Sequence, residues 1–486
     1  MPITRKKIIF SLMWKYLQQC SSQVVGFVIG ILLARLLLPE DYGVIAIVMV
    51  FIAMSNVFIS SGLPTALIQK IDADDLDFNS VFWVSMSIAV LMYILLFLLA
   101  PFIAKFYNNQ ILIPIIRVLG LTLFTGVFVS MQNVVVAKKL LFKKLFYMSI
   151  LLSVPIGIFS ILLAFRGFGV WALVYSSLLS SIFTFLFMQL VIKWRPKLIF
   201  SFSRAKILFT YGWKLLLESI ISLVVGDIHK LIIGRLSQYN LGLLNKGESF
   251  PKLIVGNVNS TIQSVMFPVY SDSQNDLVKL KQLLRRSLTI STFVMVPIMT
   301  SLFLVSSPLV SFLLGEKWLP SVVFLQLFCF SYAFWHIHTN NLAIMNSLGR
   351  SDLYLKVGIV KQSVWLVLII VSLVIFKSMY LFFLTMIITT FFSSYVNMYP
   401  NKKLLDYGCI EQAKDMLPYY SLSLLVGLCV SVVGFLNIND VSMIFLQVIL
   451  FFGLYLLIAK LMKFECMEYI IVNVKNYFNR DANEKR

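Results

Sequence analysis

The chain is poor in charge and in the residues that build soluble catalytic or metal centres. Of its 486 residues, 13% are charged and three are histidine, whereas a soluble globular protein carries about 25% charged residues. The hydrophobic share is 59% and the mean hydropathy is +0.90. This composition excludes a water-soluble protein folded around one core, and it leaves no room for a large soluble catalytic domain.

Cysteine is scarce and scattered, and no two cysteines form a CxxC pair. The five are Cys20, Cys329, Cys409, Cys429 and Cys466. This spacing indicates neither a disulfide framework nor a zinc site. For the chain as a whole we predict no metal, no cofactor and no catalytic residues. The net charge of +20 lies in short connections rather than on one exposed face, which argues against a nucleic-acid partner.

Long apolar runs predict an all-α polytopic membrane protein, because each crossing of a bilayer takes about 20 apolar residues. About fourteen spans fit. They are 10–34, 43–68, 80–104, 111–136, 145–165, 169–192, 208–233, 241–268, 287–313, 320–346, 355–376, 379–399, 416–436 and 440–462. Alternate connections hold 28 against 6 lysines and arginines. The positive-inside rule therefore predicts that both termini are cytoplasmic.

An internal repeat relates the first predicted span to the seventh. Trp14-Lys15, Val24-Val25-Gly26, Ala34-Arg35-Leu36 and Tyr42-Gly43 match Trp213-Lys214, Val224-Val225-Gly226, Gly234-Arg235-Leu236 and Leu241-Gly242. Such a parallel repeat predicts two six-helix lobes that rock about a central site. The predicted parts are an N-terminal lobe 1–200, a C-terminal lobe 201–403, two appended helices in 404–462 and a basic amphipathic tail 463–486.

Ionisable residues inside the predicted spans are the main functional signal, because such side chains usually face a bundle interior or a water-filled cavity. We predict that five of the cations line a cavity for an anionic headgroup: Lys15, Arg117, Lys214, Lys246 and Lys252. Glu218, Asp227 and Lys230 are candidates for a coupling ion or for charge pairs. The alternative is that these pairs only neutralise one another, that Lys15 reaches the interface and that Arg117 lies at the outer surface.

Two arginines and one lysine lie near predicted span ends. Arg35 and Arg235, which the repeat relates, are candidates for an outer gate or for interfacial anchors. Lys361 is interpreted as a lysine that reaches toward the inner interface. His336 and His338 are two residues apart, so they point to different faces of one helix and do not predict a metal site.

Several stretches carry a family resemblance. They include Leu32-Leu33-Ala34-Arg35-Leu36-Leu37-Leu38-Pro39-Glu40-Asp41-Tyr42-Gly43, the run from Gly62, the run 165–174, residues 193–196 and the run from Asp227 to Asp276. Together they resemble the polysaccharide-biosynthesis branch of the multidrug/oligosaccharidyl-lipid/polysaccharide exporter superfamily, which includes Wzx-type flippases and teichuronic-acid and colanic-acid exporters. Lys246 falls where the family usually has an arginine in a Tyr-Asn-Arg-Ala-like run.

The resemblance implies a flippase that carries undecaprenyl-pyrophosphate-linked oligosaccharide across the bacterial inner membrane by alternating access. It implies a monomeric transport unit that works beside a polysaccharide polymerase and glycosyltransferases, with H+ or Na+ as possible coupling ions. Two alternatives remain. An ion-coupled multidrug exporter of the same superfamily predicts an acidic cavity, and a membrane glycosyltransferase or polymerase needs larger outer loops than this chain has.

Overall fold

The computed structural model describes residues 5–60, 62–70, 72–139, 141–436 and 438–468. Within these ranges the chain is helical without any β-strand, which confirms the predicted all-α fold. The chain divides into two compact units, Met1–Asn245 and Lys246–Arg486. The lobe boundary at residue 200 stays a prediction, and most of the predicted tail, residues 469–486, lies outside the described residues.

The described residues of the first unit form nine helices and the beginning of a tenth. They are α1 Arg5–Leu36, α2 Pro39–Ser60, α3 Leu63–Gln69, α4 Asp75–Phe106, α5 Leu112–Gly120, α6 Thr122–Lys139, α7 Phe142–Phe165, α8 Val170–Val191, α9 Phe202–Leu236 and α10 Gln238–Asp272. Helix α1 packs along α7, and α9 packs against α2, α3 and α4.

In the second unit, the part of the chain that the structure describes forms the rest of α10 and eight further helices. They are α11 Leu277–Leu304, α12 Ser306–Leu314, α13 Val322–Tyr332, α14 Trp335–Ser347, α15 Ser351–Ile369, α16 Met379–Leu405, α17 Cys409–Ser431 and α18 Asp440–Leu461. Short 3-10 turns cover Glu316–Ser321 and Val432–Phe435, and a π-helical turn extends α15 over Ile370–Ile375.

Twelve helical segments of the described chain are long and apolar enough to cross a membrane. They overlap the predicted spans 1–6 and 9–14. The two remaining predicted spans are α9 and α10, each 35 residues long, which corresponds to about 52 Å of helix. Within the bounds of the predicted spans, 208–233 and 241–268 carry four and three charged residues, and each of the other twelve carries at most two. The two spans singled out by their charges are therefore the two that do not meet the apolar criterion.

The predicted ninth span, 287–313, is wrong at both ends. Helix α11 begins at Leu277 because the Asp276 side chain accepts a hydrogen bond from the backbone N–H of Lys279, at 2.9 Å, and caps it. The helix ends at Leu304, and the separate α12 follows. The basic first turns of α11 have the composition of a loop, which is why the apolar run alone placed the helix too late.

Each unit has its own apolar core. In the first unit, Val135, Met148 and Met188 join α6, α7 and α8. In the second unit, one cluster packs α10, α11, α14, α16 and α17 together around Tyr270 and Leu284. These cores fix the helices that carry the polar residues described below.

An ionic cluster at the start of α4 holds the segment that leads into α9. The carboxylate of Asp77 is fully buried and lies 2.5 Å from Lys70 Nζ and 3.4 Å from Arg204 of α9. Asp77 and Asp74 also form a capping box at the start of α4. Asn79 accepts from the backbone N–H of Lys197, so side chains of α4 position the connection between α8 and α9.

Candidate functional site

The polar face of α9 contains an ion pair in its second half. Asp227 Oδ1 lies 2.8 Å from Lys230 Nζ, and the two side chains are 30% and 12% exposed. Their spacing of three residues places them on one face of the helix. The side chains of Lys214 and Glu218 lie outside the described part of the structure, so their pairing, like the coupling-ion role of Asp227, stays a prediction.

The other two predicted cations of the first unit occupy different surroundings. Lys15 is exposed on α1, next to Trp14. Arg117 lies in the last turn of α5, and its guanidinium carbon is 3.9 Å from the centre of the Phe97 ring on α4. This contact is a cation–π interaction that joins α5 to α4. Arg117 therefore packs between two helices, and its role in a cavity stays a prediction.

Helix α2 and the first turns of α10 approach each other through two glycines. A Cβ atom added to Gly43 would lie 1.9 Å from the carbonyl oxygen of Gln238, and one added to Gly242 would lie 1.8 Å from that of Pro39. Both pairs are related by the same offset of 199 residues that relates Tyr42-Gly43 to Leu241-Gly242. The contact is therefore pseudo-symmetric, like an isologous interface between two copies.

The loop after α4 fastens to the same region. Tyr107 donates to the carbonyl oxygen of Leu231 at 3.2 Å, and Asn109 donates to the side chain of Gln238 at 2.9 Å. Burial raises the pKa of Tyr107 to about 12, against a smaller opposing effect of the Arg235 charge, so its hydroxyl stays protonated and can donate. Arg235 itself lies over the ring of Phe106, 5.2 Å from its centre.

Of the two predicted gate arginines, the structure therefore brings Arg235 into this contact region. Arg35 lies exposed in the last turn of α1. The sequence did not lead us to predict Gly43 and Gly242 as contact residues, although both lie in the short segments that the repeat matches. The signal was available, because a glycine recurring at equivalent positions of two repeats indicates close backbone approach.

In the second unit, the charged part of α10 contains a carboxylate held by two partners. Glu248 is buried and accepts from Tyr332 Oη of α13 at 2.8 Å and from Lys252 Nζ at 3.1 Å. The predicted cation Lys252 is therefore partly neutralised, although its side chain is 61% exposed. Lys246, two residues before Glu248, is half-buried. The sequence reasoning did not assign Glu248 and Tyr332, yet the spacing of four residues between Glu248 and Lys252 predicts such a pair.

A hydroxyl-lined cavity of about 470 Å³ lies between α6 and α8. It was not foreseen from the sequence. Its lining residues are Gly126, Val129, Ser176, Ser177, Ser180, Ser181 and Thr184. Hydroxyl groups donate and accept hydrogen bonds, so this surface suits polar rather than apolar groups.

Taken separately, the two units offer cations, paired carboxylates and hydroxyls. These groups can bind an anionic or polar ligand. Among the described residues, no group of three or more histidine, cysteine, aspartate or glutamate side chains is placed to hold a metal ion.

Residues 32–323, more than half of the chain, match the model of a family described as polysaccharide biosynthesis protein. The chain belongs to this family. The matched range includes α2 to α10, and so it contains the glycine contact, the Asp227–Lys230 pair and the Glu248–Lys252 pair.

Three proteins of known name are similar to this chain. The succinoglycan biosynthesis transport protein ExoT of Rhizobium meliloti is 22% identical over 65% of this chain, which is 64% of that protein and just under two thirds of its length. The teichuronic acid biosynthesis protein TuaB of Bacillus subtilis is 22% identical, over 73% of this chain and 74% of that protein. The lipopolysaccharide biosynthesis protein WzxC of Escherichia coli is 23% identical, over 76% and 75%.

Solved structures establish the fold. The lipid II flippase MurJ, in an inward closed conformation, superposes with a TM-score of 0.74 at 15% identity, covering 93% of this chain and 98% of its own. An inward-facing multidrug resistance MATE family transporter superposes with a TM-score of 0.56 at 15% identity, over 84% and 95%. The chain is therefore a multi-pass membrane protein with the polytopic helical fold of these transporters.

Proposed function

We propose that this protein is a flippase that moves undecaprenyl-pyrophosphate-linked oligosaccharide from the cytoplasmic to the outer leaflet of a bacterial inner membrane, for the synthesis of a surface polysaccharide such as O-antigen, capsule or exopolysaccharide. The observation that carries the proposal is the family match over residues 32–323, because this range contains the two charged helices α9 and α10. The names of the relatives, which concern succinoglycan, teichuronic acid and lipopolysaccharide, support a glycan substrate.

The pyrophosphate and the sugars cannot enter hydrocarbon without large desolvation costs. In the proposed cycle, Lys15, Lys214, Lys246 and Lys252 compensate the phosphate charge in a hydrated path, while the polyprenyl tail stays in the lipid. Arg117 is a further candidate for this path. Glu248 accepts from Lys252 at 3.1 Å and so reduces the local positive charge. The site then binds the headgroup with moderate affinity, which allows the headgroup to leave on the other side.

The glycine contact between α2 and α10 is proposed to act as the outer gate, together with Arg35 and Arg235. The proposed orientation, with both termini cytoplasmic, places the beginnings of α2 and α10 on the outer side. Breaking the contact at Gly43 and Gly242 opens the path outward. The contact brings two helix backbones together at Gly43 and Gly242, so its opening is proposed to consist of a separation of α2 from α10.

Glu218 and Asp227 are proposed as the residues at which H+ or Na+ couples to transport. Asp227 is already paired with Lys230 at 2.8 Å, so protonation or ion binding there releases the lysine. Transport by the Glu218→Gln and Asp227→Asn variants under imposed proton and sodium gradients tests this assignment. A variant that transports at the wild-type rate under both gradients removes that residue from the coupling site.

A deletion experiment in the cell tests the function itself. Loss of the protein is expected to leave lipid-linked oligosaccharide on the cytoplasmic leaflet, where a glycosidase added to spheroplasts cannot reach it. A multidrug exporter predicts instead that deletion raises drug sensitivity and leaves the oligosaccharide accessible. In the proposed pathway, glycosyltransferases make the lipid-linked oligosaccharide before it is flipped, and a polysaccharide polymerase uses it afterwards.

A further inference from the structure

Lys361 occupies an interior position of α15 and contacts α16. It lies ten residues after Ser351, the first residue of α15, which corresponds to about 15 Å of helix. Its Nζ donates to Asn397 Oδ1 of α16 at 3.1 Å. A neighbouring helix therefore binds the ammonium group of Lys361, and the expectation that this lysine reaches toward the inner interface stays a prediction.

The bond to Asn397 fixes a chain of three polar side chains. Because an ammonium group only donates, the amide oxygen of Asn397 must face Lys361, and the amide nitrogen must face away. This nitrogen lies 2.5 Å from His338 Nδ1 on α14, so that His338 accepts at Nδ1 and carries its hydrogen at Nε2. Asn397 and His338 are thus both neutral, and they orient Lys361 without cancelling its charge.

Lys361 differs in this respect from two other lysines of the predicted spans. Lys230 is paired with Asp227 and Lys252 with Glu248, whereas Lys361 forms no ion pair with any residue that the structure describes. Asn397 is fully buried, but Lys361 retains partial exposure. The amide therefore supports the ammonium group from the buried side. Among the residues that the structure describes, one acceptor, Asn397 Oδ1, is within hydrogen-bond distance of the three N–H donors of Lys361.

We propose that Lys361 is an anion-binding residue of the second unit, which contacts a phosphate oxygen of the lipid-linked headgroup and is positioned by Asn397 and His338. The proposal rests on the proposed function for the identity of the headgroup. An uncompensated ammonium group inside a membrane span is costly unless an anion or water meets it, and a pyrophosphate supplies both charge and acceptor oxygens.

Binding of farnesyl pyrophosphate, a soluble polyprenyl pyrophosphate, to the purified full-length protein tests this proposal by calorimetry, with farnesol as the neutral control ligand. Lys361→Met is expected to weaken binding of the pyrophosphate by about tenfold or more, as for the loss of a hydrogen bond to a charged group. Lys361→Arg keeps the charge and is expected to bind within a few fold of the wild type. Lys356→Met removes an exposed cation of the same helix and is expected to leave binding unchanged.

The Asn397→Asp variant separates charge from structure. An aspartate retains a partner for Lys361 and strengthens the contact between α15 and α16, but it cancels the positive charge. If Lys361 binds an anion, Asn397→Asp loses affinity as Lys361→Met does while its thermal unfolding midpoint is maintained. If Lys361 only joins the two helices, Asn397→Asp binds like the wild type, and that result overturns the proposal.

The outcomes also separate this inference from the proposed function. If the protein flips its lipid-linked substrate and Lys361→Met binds farnesyl pyrophosphate as tightly as the wild type does, the role of Lys361 is overturned. The proposed function then still stands. Binding of the pyrophosphate that depends on Lys361, in a protein that flips no lipid-linked oligosaccharide, supports the anion site and overturns the function. A wild type that binds farnesyl pyrophosphate no better than farnesol overturns the anion site.

Discussion

An alanine at Gly43 is predicted to force α2 and α10 apart. Its Cβ would lie 1.9 Å from the carbonyl oxygen of Gln238, whereas a carbon and an oxygen in contact are about 3.3 Å apart. The two backbones must therefore separate by about 1.4 Å, since the obstacle is a helical carbonyl and not a flexible side chain. Overpacking of this kind costs about 1–3 kcal/mol, which shifts a two-state equilibrium by about 5- to 150-fold.

The pseudo-symmetry of the contact sharpens this prediction. Gly242→Ala meets Pro39 at 1.8 Å and should shift the equilibrium toward the open state by a similar factor. Gly26→Ala and Gly226→Ala are the matched controls, because they are also related by the repeat and their added Cβ atoms meet nothing within 4 Å. Both controls should behave like the wild type.

The assay is the rate at which a membrane-impermeant maleimide labels a cysteine placed at Leu241, which is fully buried beside the contact. The five native cysteines are replaced first. Reagent added from outside should label the Gly43→Ala and Gly242→Ala proteins at least about fivefold faster than the parent protein. Equal rates in all five proteins would refute the reasoning, because they would mean that this contact does not limit access from outside.

Three further predictions concern the surroundings of the site. Asp77→Asn should lower the stability to thermal unfolding by about 3 kcal/mol because it breaks a buried ion-pair cluster, whereas Asp75→Asn, which breaks an exposed pair, should cost less than about 1 kcal/mol. Unfolding midpoints in detergent that fall equally in both variants would contradict this difference. Glu248→Gln should tighten farnesyl pyrophosphate binding severalfold in calorimetry, because it frees the charge of Lys252; weaker binding would be the opposite result. The hydrogen bond of Tyr107 should contribute fully to the stability of the folded protein below pH 10, near the ordinary tyrosine pKa. This contribution should be lost as the pH rises through the folded pKa of about 12. The thermal unfolding midpoint of the wild type should therefore exceed that of Tyr107→Phe below pH 10, and the difference should disappear between pH 10 and pH 12.

Much of the fold follows from the sequence because apolar length alone decides where a helix can cross a membrane. Twelve predicted spans overlap helices that meet this criterion, and the two others carry the charges that drew attention to them. The error at α11 has a physical cause. Asp276 caps a helix whose first turns are basic, and a window of hydropathy does not detect a cap.

The candidate site was less predictable because its contacts depend on neutral partners and on backbone proximity. The repeat containing Gly43 and Gly242 is visible in the sequence, but a repeat does not say that its two copies touch. Lys361 carried a charge signal, whereas Asn397 is an uncharged residue in an apolar helix and gives none. The pair Glu248–Lys252 was within reach of the sequence, since its spacing of four residues is the one that joins side chains on a helix.

The central claim is that the protein moves a lipid-linked oligosaccharide through a path lined with cations. The most direct measurement is the leaflet accessibility of a fluorescent undecaprenyl-pyrophosphate oligosaccharide in proteoliposomes, for the wild type, Lys246→Ala and Lys252→Ala. The account predicts that the wild type exchanges the lipid between leaflets faster than empty liposomes and that both lysine variants lose this advantage. Exchange by the wild type that is no faster than in empty liposomes, with the native glycan and an imposed ion gradient present, would contradict the account.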